Sequence, residues 1–304
     1  MFKRILLFLL TNLAIIIVLS ITLTILSDVF WIEYATVFTW NNYLEVLIFA
    51  CVIWFAWAFL SLLMSKWMAK WSYKIKVINA WEGYSLSSKE KLVLEIVERI
   101  SSQVHIKMPE VWVYESSEPN AFATGPTKNN SLVAVSTWLL DTMNENEIEW
   151  VIAHEMAHVV NGDMVTMVLI QWVINTFVIF ISRVVASFIE KAILKSENSW
   201  TWVYYIITIV LEILLWILAS IIVMWFSRHR EYKADEWSAK FVWKQKMIAA
   251  LKALQRLQDE FLTNDSDKLA TLKIWSKKRK WIFALFSSHP DLEDRIKNLE
   301  EKVF

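Results

Sequence analysis

Four apolar stretches, each near the roughly 20 residues that a helix needs to cross a bilayer, limit what this chain can fold into. They run from about Ile5 to Leu26, Tyr43 to Met64, Val165 to Ile189 and Thr201 to Phe226. Lys3 and Arg4 precede the first, the loop from Ser27 to Asn42 has no Lys or Arg, and Lys66, Lys70, Lys74 and Lys76 follow the second. This distribution predicts that both termini are cytoplasmic. Arg228 and Arg230 after the fourth stretch agree, while Lys191 and Lys195 mildly oppose. The first stretch is too long for a signal-peptide core and lacks a small-residue cleavage site, so it reads as a retained anchor. Arg183 and Glu212 lie inside the third and fourth stretches. Charge in hydrocarbon is expensive, so they are expected to face each other or water, or Arg183 to reach up to the outer surface.

Composition supports a membrane share, with 56% hydrophobic residues and a positive mean hydropathy. The 31 basic and 31 acidic residues cancel, so no net charge favours a nucleic-acid partner. The single cysteine, Cys51, excludes an internal disulfide and a Cys-type zinc site.

Between the second and third stretches lies a polar block. Ser87 with Glu90 forms a capping box ahead of Leu92, Ile96, Val97 and Ile100, which predicts an amphipathic helix. Three β-rich runs follow, Glu110 to Tyr114, Ala121 to Thr124 and Ser131 to Ser136, enough for a small sheet. Asn144 with Glu147 forms a second capping box, and the helix it opens is expected to stop near Asn161 and Gly162. A further helix is expected from about Ser227 to Asp259, and a last amphipathic one after Pro290. The cationic run Lys277 to Lys280 reads as a solvated or headgroup-facing segment.

The second capped helix carries His154-Glu155-Met156-Ala157-His158, the pattern H-E-x-x-H. Histidines four apart on a helix project from one face and can share a metal ion. Catalytic zinc usually takes three protein ligands and keeps one position open, so a third ligand must come from elsewhere. Glu231 and Asp235 are also four apart, so a helix points both carboxylates the same way. One can bind metal while the other accepts the free N–H of a ligand histidine. Asp163 and His105 carry weaker signals, of local capping and surface solvation.

Taken in order, Glu118 to Gly125, Ser131 to Thr137, His154 to Asp163 and Ser227 to Asp235 resemble the HtpX-type membrane metalloproteases, gluzincins related to the CAAX prenyl endopeptidases. The likeness extends to Ser288-His289-Pro290. It implies a mainly α membrane protein with four transmembrane helices and a cytoplasmic zincin-like α+β peptidase domain. Residues 1–64 would hold two spans, 65–163 a cytoplasmic domain with a small sheet and the H-E-x-x-H helix, 164–226 a transmembrane hairpin, and 227–304 a cytoplasmic helical part. By motif match His154, His158 and Glu231 are the expected ligands of one zinc ion per chain, and Glu155 the catalytic base that takes a proton from the attacking water. Asp235, His229 and His289 are expected around them, the histidines as candidate oxyanion donors. Asn120, Ala121 and Phe122 resemble a strand that pairs with extended substrate. The implied role is cleavage of damaged or misfolded membrane proteins at the cytoplasmic face of the bacterial inner membrane. The competing reading is a catalytically silent membrane scaffold or sensor that keeps the metal for structure.

One departure concerns tryptophan. The chain has 3 Gly and 19 Trp, where ordinary usage of about 7% predicts roughly 21 Gly. At Trp112, Trp138, Trp172, Trp237, Trp243 and Trp281 the resembling family commonly has glycine. A one-directional exchange of the smallest residue for the bulkiest has no packing logic. Reading UGA as tryptophan in a gene that uses it for glycine accounts for the pattern. Trp150 matters most, one turn before His154 on the same helix face.

Overall fold

The computed structural model describes residues 43–72, 75–78, 86–116, 120–190, 201–264 and 289–302. The first apolar stretch, Glu118, Pro119, the cationic run at 277–280 and Trp281 lie outside them.

Three described helices are long and apolar enough to cross a membrane: α1 (Tyr43–Ser72), α5 (Asp163–Phe188) and α6 (Thr201–Phe241). α5 packs against both others. Trp172 on α5 donates its indole N–H to the Cys51 carbonyl of α1 at 2.9 Å, and the Phe55 ring meets Trp172 edge-on. Val52, Phe59 and Leu63 of α1 and Ile206, Ile209 and Ile213 of α6 are exposed, a surface suited to lipid rather than water. Arg183 and Glu212 approach across α5 and α6 at 3.9 Å, with the Ser182 hydroxyl 3.4 Å from the same carboxylate. They therefore face each other.

α6 is one helix of 41 residues, about 60 Å long at 1.5 Å per residue. This corrects the expectation of a separate helix from Ser227 to Asp259. Nothing between Phe226 and Phe241 breaks the backbone ladder, so the helix leaves the apolar zone and carries Glu231 and Asp235 with it. The break comes at Val242 and Trp243, after which α7 (Lys244–Asn264) begins.

The remaining elements form a second layer. The Ser87 capping box opens α2 (Ser88–Gln103), and its buried stripe of Val93, Ile96, Val97 and Ile100 enters the core. A four-stranded sheet has the order β1-β2-β4-β3: β1 (Ile75–Ile78), β2 (Glu110–Tyr114), β4 (Asn130–Ser136) and β3 (Ala121–Thr127). β1 pairs antiparallel with β2, β2 parallel with β4, and β3 and β4 form an antiparallel hairpin. β1 adds a strand to the three expected, since Lys74 and Lys76 resemble a simple basic flank. The hairpin is irregular between Thr124 and Thr127. There Gly125 adopts a φ of 150°, and a Cβ would lie 2.3 Å from the Asn130 carbonyl oxygen.

After the short α3 (Thr137–Thr142), the Asn144 capping box opens α4 (Glu145–Asn161). Ile148, Ile152 and Met156 of α4 are fully buried, packed with Met247 and Leu251 of α7 and Leu299 of α8 (Leu292–Glu301). α4 stops at Gly162, which is left-handed at φ 69°, a conformation that costs a side-chain-bearing residue about 1–2 kcal/mol. α5 starts at the next residue. One glycine thus turns the H-E-x-x-H helix into a membrane helix.

Candidate metal centre

α4 contributes His154 and His158, and α6 contributes Glu231. One ligand atom from each lies within 4.8 Å of the others. All three residues are buried. The Glu231 oxygens stand 3.3 Å from His154 Nε2 and 3.4 Å from His158 Nε2, with Arg230 Nη2 3.5 Å from Oε1 and His289 Nδ1 3.0 Å from Oε2, and among the described residues none of these makes a well-aligned hydrogen bond to the carboxylate. A buried carboxylate so poorly bonded is costly. Two imidazole nitrogens and a carboxylate converging in this way are a donor set suited to zinc, so the residues fit the group that the sequence motif implies.

The opposite edge of each imidazole is also occupied. His154 Nδ1 lies 2.9 Å from Asp235 Oδ1, and His158 Nδ1 lies 2.6 Å from Asp163 Oδ2. A carboxylate that accepts the Nδ1 proton leaves Nε2 with its lone pair toward the common point, which fixes both tautomer and ring orientation. Burial acts to lower the affinity of His154 for a second proton, but Asp235 and Glu231 outweigh it and hold the group above the ordinary histidine range. Burial opposes protonation of His158 too, while Asp163 and Glu231 push it up to about 9.

The chain's full length resembles proteins of known class. The profile of peptidase family M48 matches residues 87–303. This chain belongs to peptidase family M48. It is 48% identical over 298 residues to Protease HtpX of Thioalkalivibrio sulfidiphilus, covering 98% of each chain. It is 44% identical over 306 residues to the Protease HtpX homolog of Bacillus subtilis, covering 99% of this chain and 100% of that one. The crystal structure of Ste24p from S. mikatae matches with a TM-score of 0.59 at 18% identity, over 92% of this chain and 64% of that one. That likeness is one of fold. The M48 assignment and the HtpX relatives make this protein an HtpX-type metalloprotease.

Other expected residues of this M48 protease are distributed unevenly. Glu155 is half-buried beside the histidines. His289 reaches the cluster, with Nδ1 3.0 Å from Glu231 Oε2 and most of its side chain exposed. His229 does not. It is exposed and stacks on Trp225 with ring centres 5.8 Å apart, because its position on α6 points away from the face that holds Glu231 and Asp235. Asn120, Ala121 and Phe122 lie at the start of β3, which ends the sheet and packs against α4. The Asn120 N–H donates to Ser136 Oγ at 3.0 Å, and its carbonyl accepts from Ser136 N–H.

Two residues behave differently from the sequence reading. Asp163, read as a local cap, is buried against His158. Arg295, on α8, makes two contacts with Asp235: Nε to Oδ2 at 2.7 Å and Nη2 to Oδ1 at 2.5 Å. The one signal for Arg295 is its place on the buried stripe with Ile296 and Leu299. Trp150 is buried with its ring centre 5.6 Å from that of His154. Among the described residues its indole N–H has no hydrogen-bond partner, and neither does that of Trp112.

Proposed function

We propose that this protein is a zinc endopeptidase that hydrolyses damaged or misfolded membrane proteins at the cytoplasmic face of the inner membrane. His154, His158 and Glu231 hold one zinc ion per chain. The observation that carries the reading is the convergence of two buried Nε2 atoms on a buried carboxylate, each imidazole backed by a second carboxylate. A zinc ion held there supplies Lewis acidity to a water molecule and to the scissile carbonyl.

The chain's own groups do the rest. Glu155, next to His154, takes the proton of the attacking water and delivers it to the leaving amide nitrogen. Asp235 and Asp163 accept the two Nδ1 protons, which turns each Nε2 toward the common point where the metal would sit. His289, at the exposed rim, donates to the oxyanion as charge develops. Along Asn120 to Phe122, where Asn120 is tied to Ser136 of β4, the outward-facing main chain at Ala121 pairs with an extended substrate, a contact that tolerates many sequences. Ile5 to Leu26 has the length and composition of a fourth span, and the basic flanks Lys66, Lys70, Arg228 and Arg230 favour a cytoplasmic catalytic face. Residues 1–64 and 164–226 then make up the membrane part, and 65–163 with 227–304 the peptidase part.

The test is cleavage of casein or a membrane protein by the full chain in detergent, with and without a chelator. Glu155→Gln should retain zinc and lose about 10²–10⁴-fold in rate, the usual worth of a general base. A silent scaffold would bind zinc and cleave nothing in either form. Unchanged cleavage by Glu155→Gln removes Glu155 from its role.

A further inference from the structure

We propose that Arg295 is a positioning residue for the metal site: its two-point grip on Asp235 sets the orientation of His154, so that a side chain of α8 tunes metal binding through Asp235. The proposal rests on the zinc-peptidase reading above.

Asp235 is fully buried and Arg295 nearly so. The fork of the guanidinium matches both carboxylate oxygens, at 2.7 and 2.5 Å, and such a planar pair fixes direction as well as distance. Asp235 Oδ1 is also the atom that lies 2.9 Å from His154 Nδ1. One oxygen therefore links the cation on α8 to the imidazole on α4. Arg295 Nη2 is also 3.4 Å from His154 Nδ1, and a ring nitrogen that gives its proton to Asp235 has no lone pair to accept from the guanidinium.

A purely structural account of Arg295 is weak, because α8 is held by other contacts. Ile296 and Leu299 are in the core. Lys244 Nζ donates to the Glu300 and Lys302 carbonyls at the end of the helix, at 3.0 and 2.6 Å. Lys302 also pairs with Glu236. A buried ion pair is poor value as a stabiliser compared with apolar packing of the same volume. What this pair does supply is a rigid direction for Asp235. Without it, a buried carboxylate on a rotatable side chain can turn from His154 or take up a proton, and the imidazole loses its guide.

The experiment measures zinc affinity by competition with a chromogenic chelator, on the full-length protein in detergent micelles, with helix content and melting followed by circular dichroism. Arg295→Met should bind zinc about 10–100-fold more weakly, as expected for loss of an outer-shell partner. Arg295→Lys, which keeps the charge but not the fork, should fall between wild type and Arg295→Met. Leu299→Ala provides the control: it loosens the same helix without touching Asp235, and its zinc affinity should stay within about twofold of wild type. In a double-mutant cycle, Asp235→Asn with Arg295→Met should lose little more than either alone, since both act through one link. Arg295→Met with unchanged affinity overturns the proposal, and so does Leu299→Ala losing as much as Arg295→Met. If Arg295→Met does not fold, Arg295→Lys decides on the same criterion. Wild-type protein that binds no zinc overturns the reading of the site itself, an outcome distinct from a variant that matches a zinc-binding wild type.

Discussion

Asp163 Oδ2 sits 2.6 Å from His158 Nδ1, reaching back across the Gly162 corner from the first residue of a membrane helix to the last turn of α4. The pair makes the bend between α4 and α5 part of the candidate metal site. Asp163→Ala is expected to weaken zinc binding about 10–100-fold, with Asp163→Asn less affected because its amide oxygen can still accept the Nδ1 proton. Zinc content after dialysis against a graded chelator series checks this. Equal retention by all three proteins would show that Asp163 is only a helix-terminus residue.

His158 without metal is pushed up to about 9, so at neutral pH it carries a proton that zinc must displace. Metal affinity should therefore climb with pH from about 6 toward 9 and level off above it. The sign for folding is opposite. A histidine raised above its unfolded value of about 6.5 stabilises the metal-free protein fully below that pH, and this contribution fades as pH rises through about 9. Zinc competition titrations and metal-free melting curves across pH 6 to 10 test both slopes. A flat affinity profile would argue against a protonated His158.

Gly125 and Gly162 predict unequal costs of the same substitution. A Cβ at Gly162 meets nothing nearer than Lys128 Cε at 3.7 Å, so Gly162→Ala adds mainly left-handed backbone strain, about 1–2 kcal/mol. At Gly125 the same atom would lie 2.3 Å from a backbone carbonyl oxygen, so the β3–β4 hairpin must open. Melting temperatures of the two variants should separate clearly, with Gly125→Ala the lower. The order reversed would contradict the geometry of both turns.

Native protein should carry glycine at several of the tryptophan codons. Trp243 is 76% exposed at the break between α6 and α7, where a helix-ending glycine is the usual solution. Trp112 and Trp150 each bury an indole N–H without a hydrogen-bond partner among the described residues, at a cost of about 1–3 kcal/mol apiece. Peptide mass spectrometry of protein from its own cells should find glycine at Trp112, Trp138 and Trp243. Tryptophan at those masses would end the codon-reassignment reading.

Local chemistry made much of this fold legible. Both capping boxes form as the sequence pattern implies, because Ser87 with Glu90 and Asn144 with Glu147 satisfy helix N–H groups only three residues away. The gathering of His154, His158 and Glu231 rests on four-residue spacing within two helices plus one long-range packing event, and only the resemblance chose Glu231 over Asp235. Arg295 was not legible. It lies 60 residues beyond its partner, and an arginine on an amphipathic helix ordinarily faces water. Asp163 looks in sequence like ordinary capping of the next helix, an acid after a helix-ending glycine, and only the turn of the chain at Gly162 brings it to His158. The uninterrupted run of α6 was hidden by Arg228 and Arg230, which mark the end of an apolar stretch but do not end a helix.

Both backbones that bring metal-binding groups together are continuous, or nearly so, with rods long enough to cross a bilayer: α6 directly, and α4 through a single residue. A soluble fragment trimmed at Phe226 would leave Glu231 on the first, fraying turns of a new chain end. Attempts to excise the peptidase from its lipid setting would thus dismantle the very scaffold that aims Glu231 at the two histidines, and a nanodisc or micelle is the natural vessel for studying it.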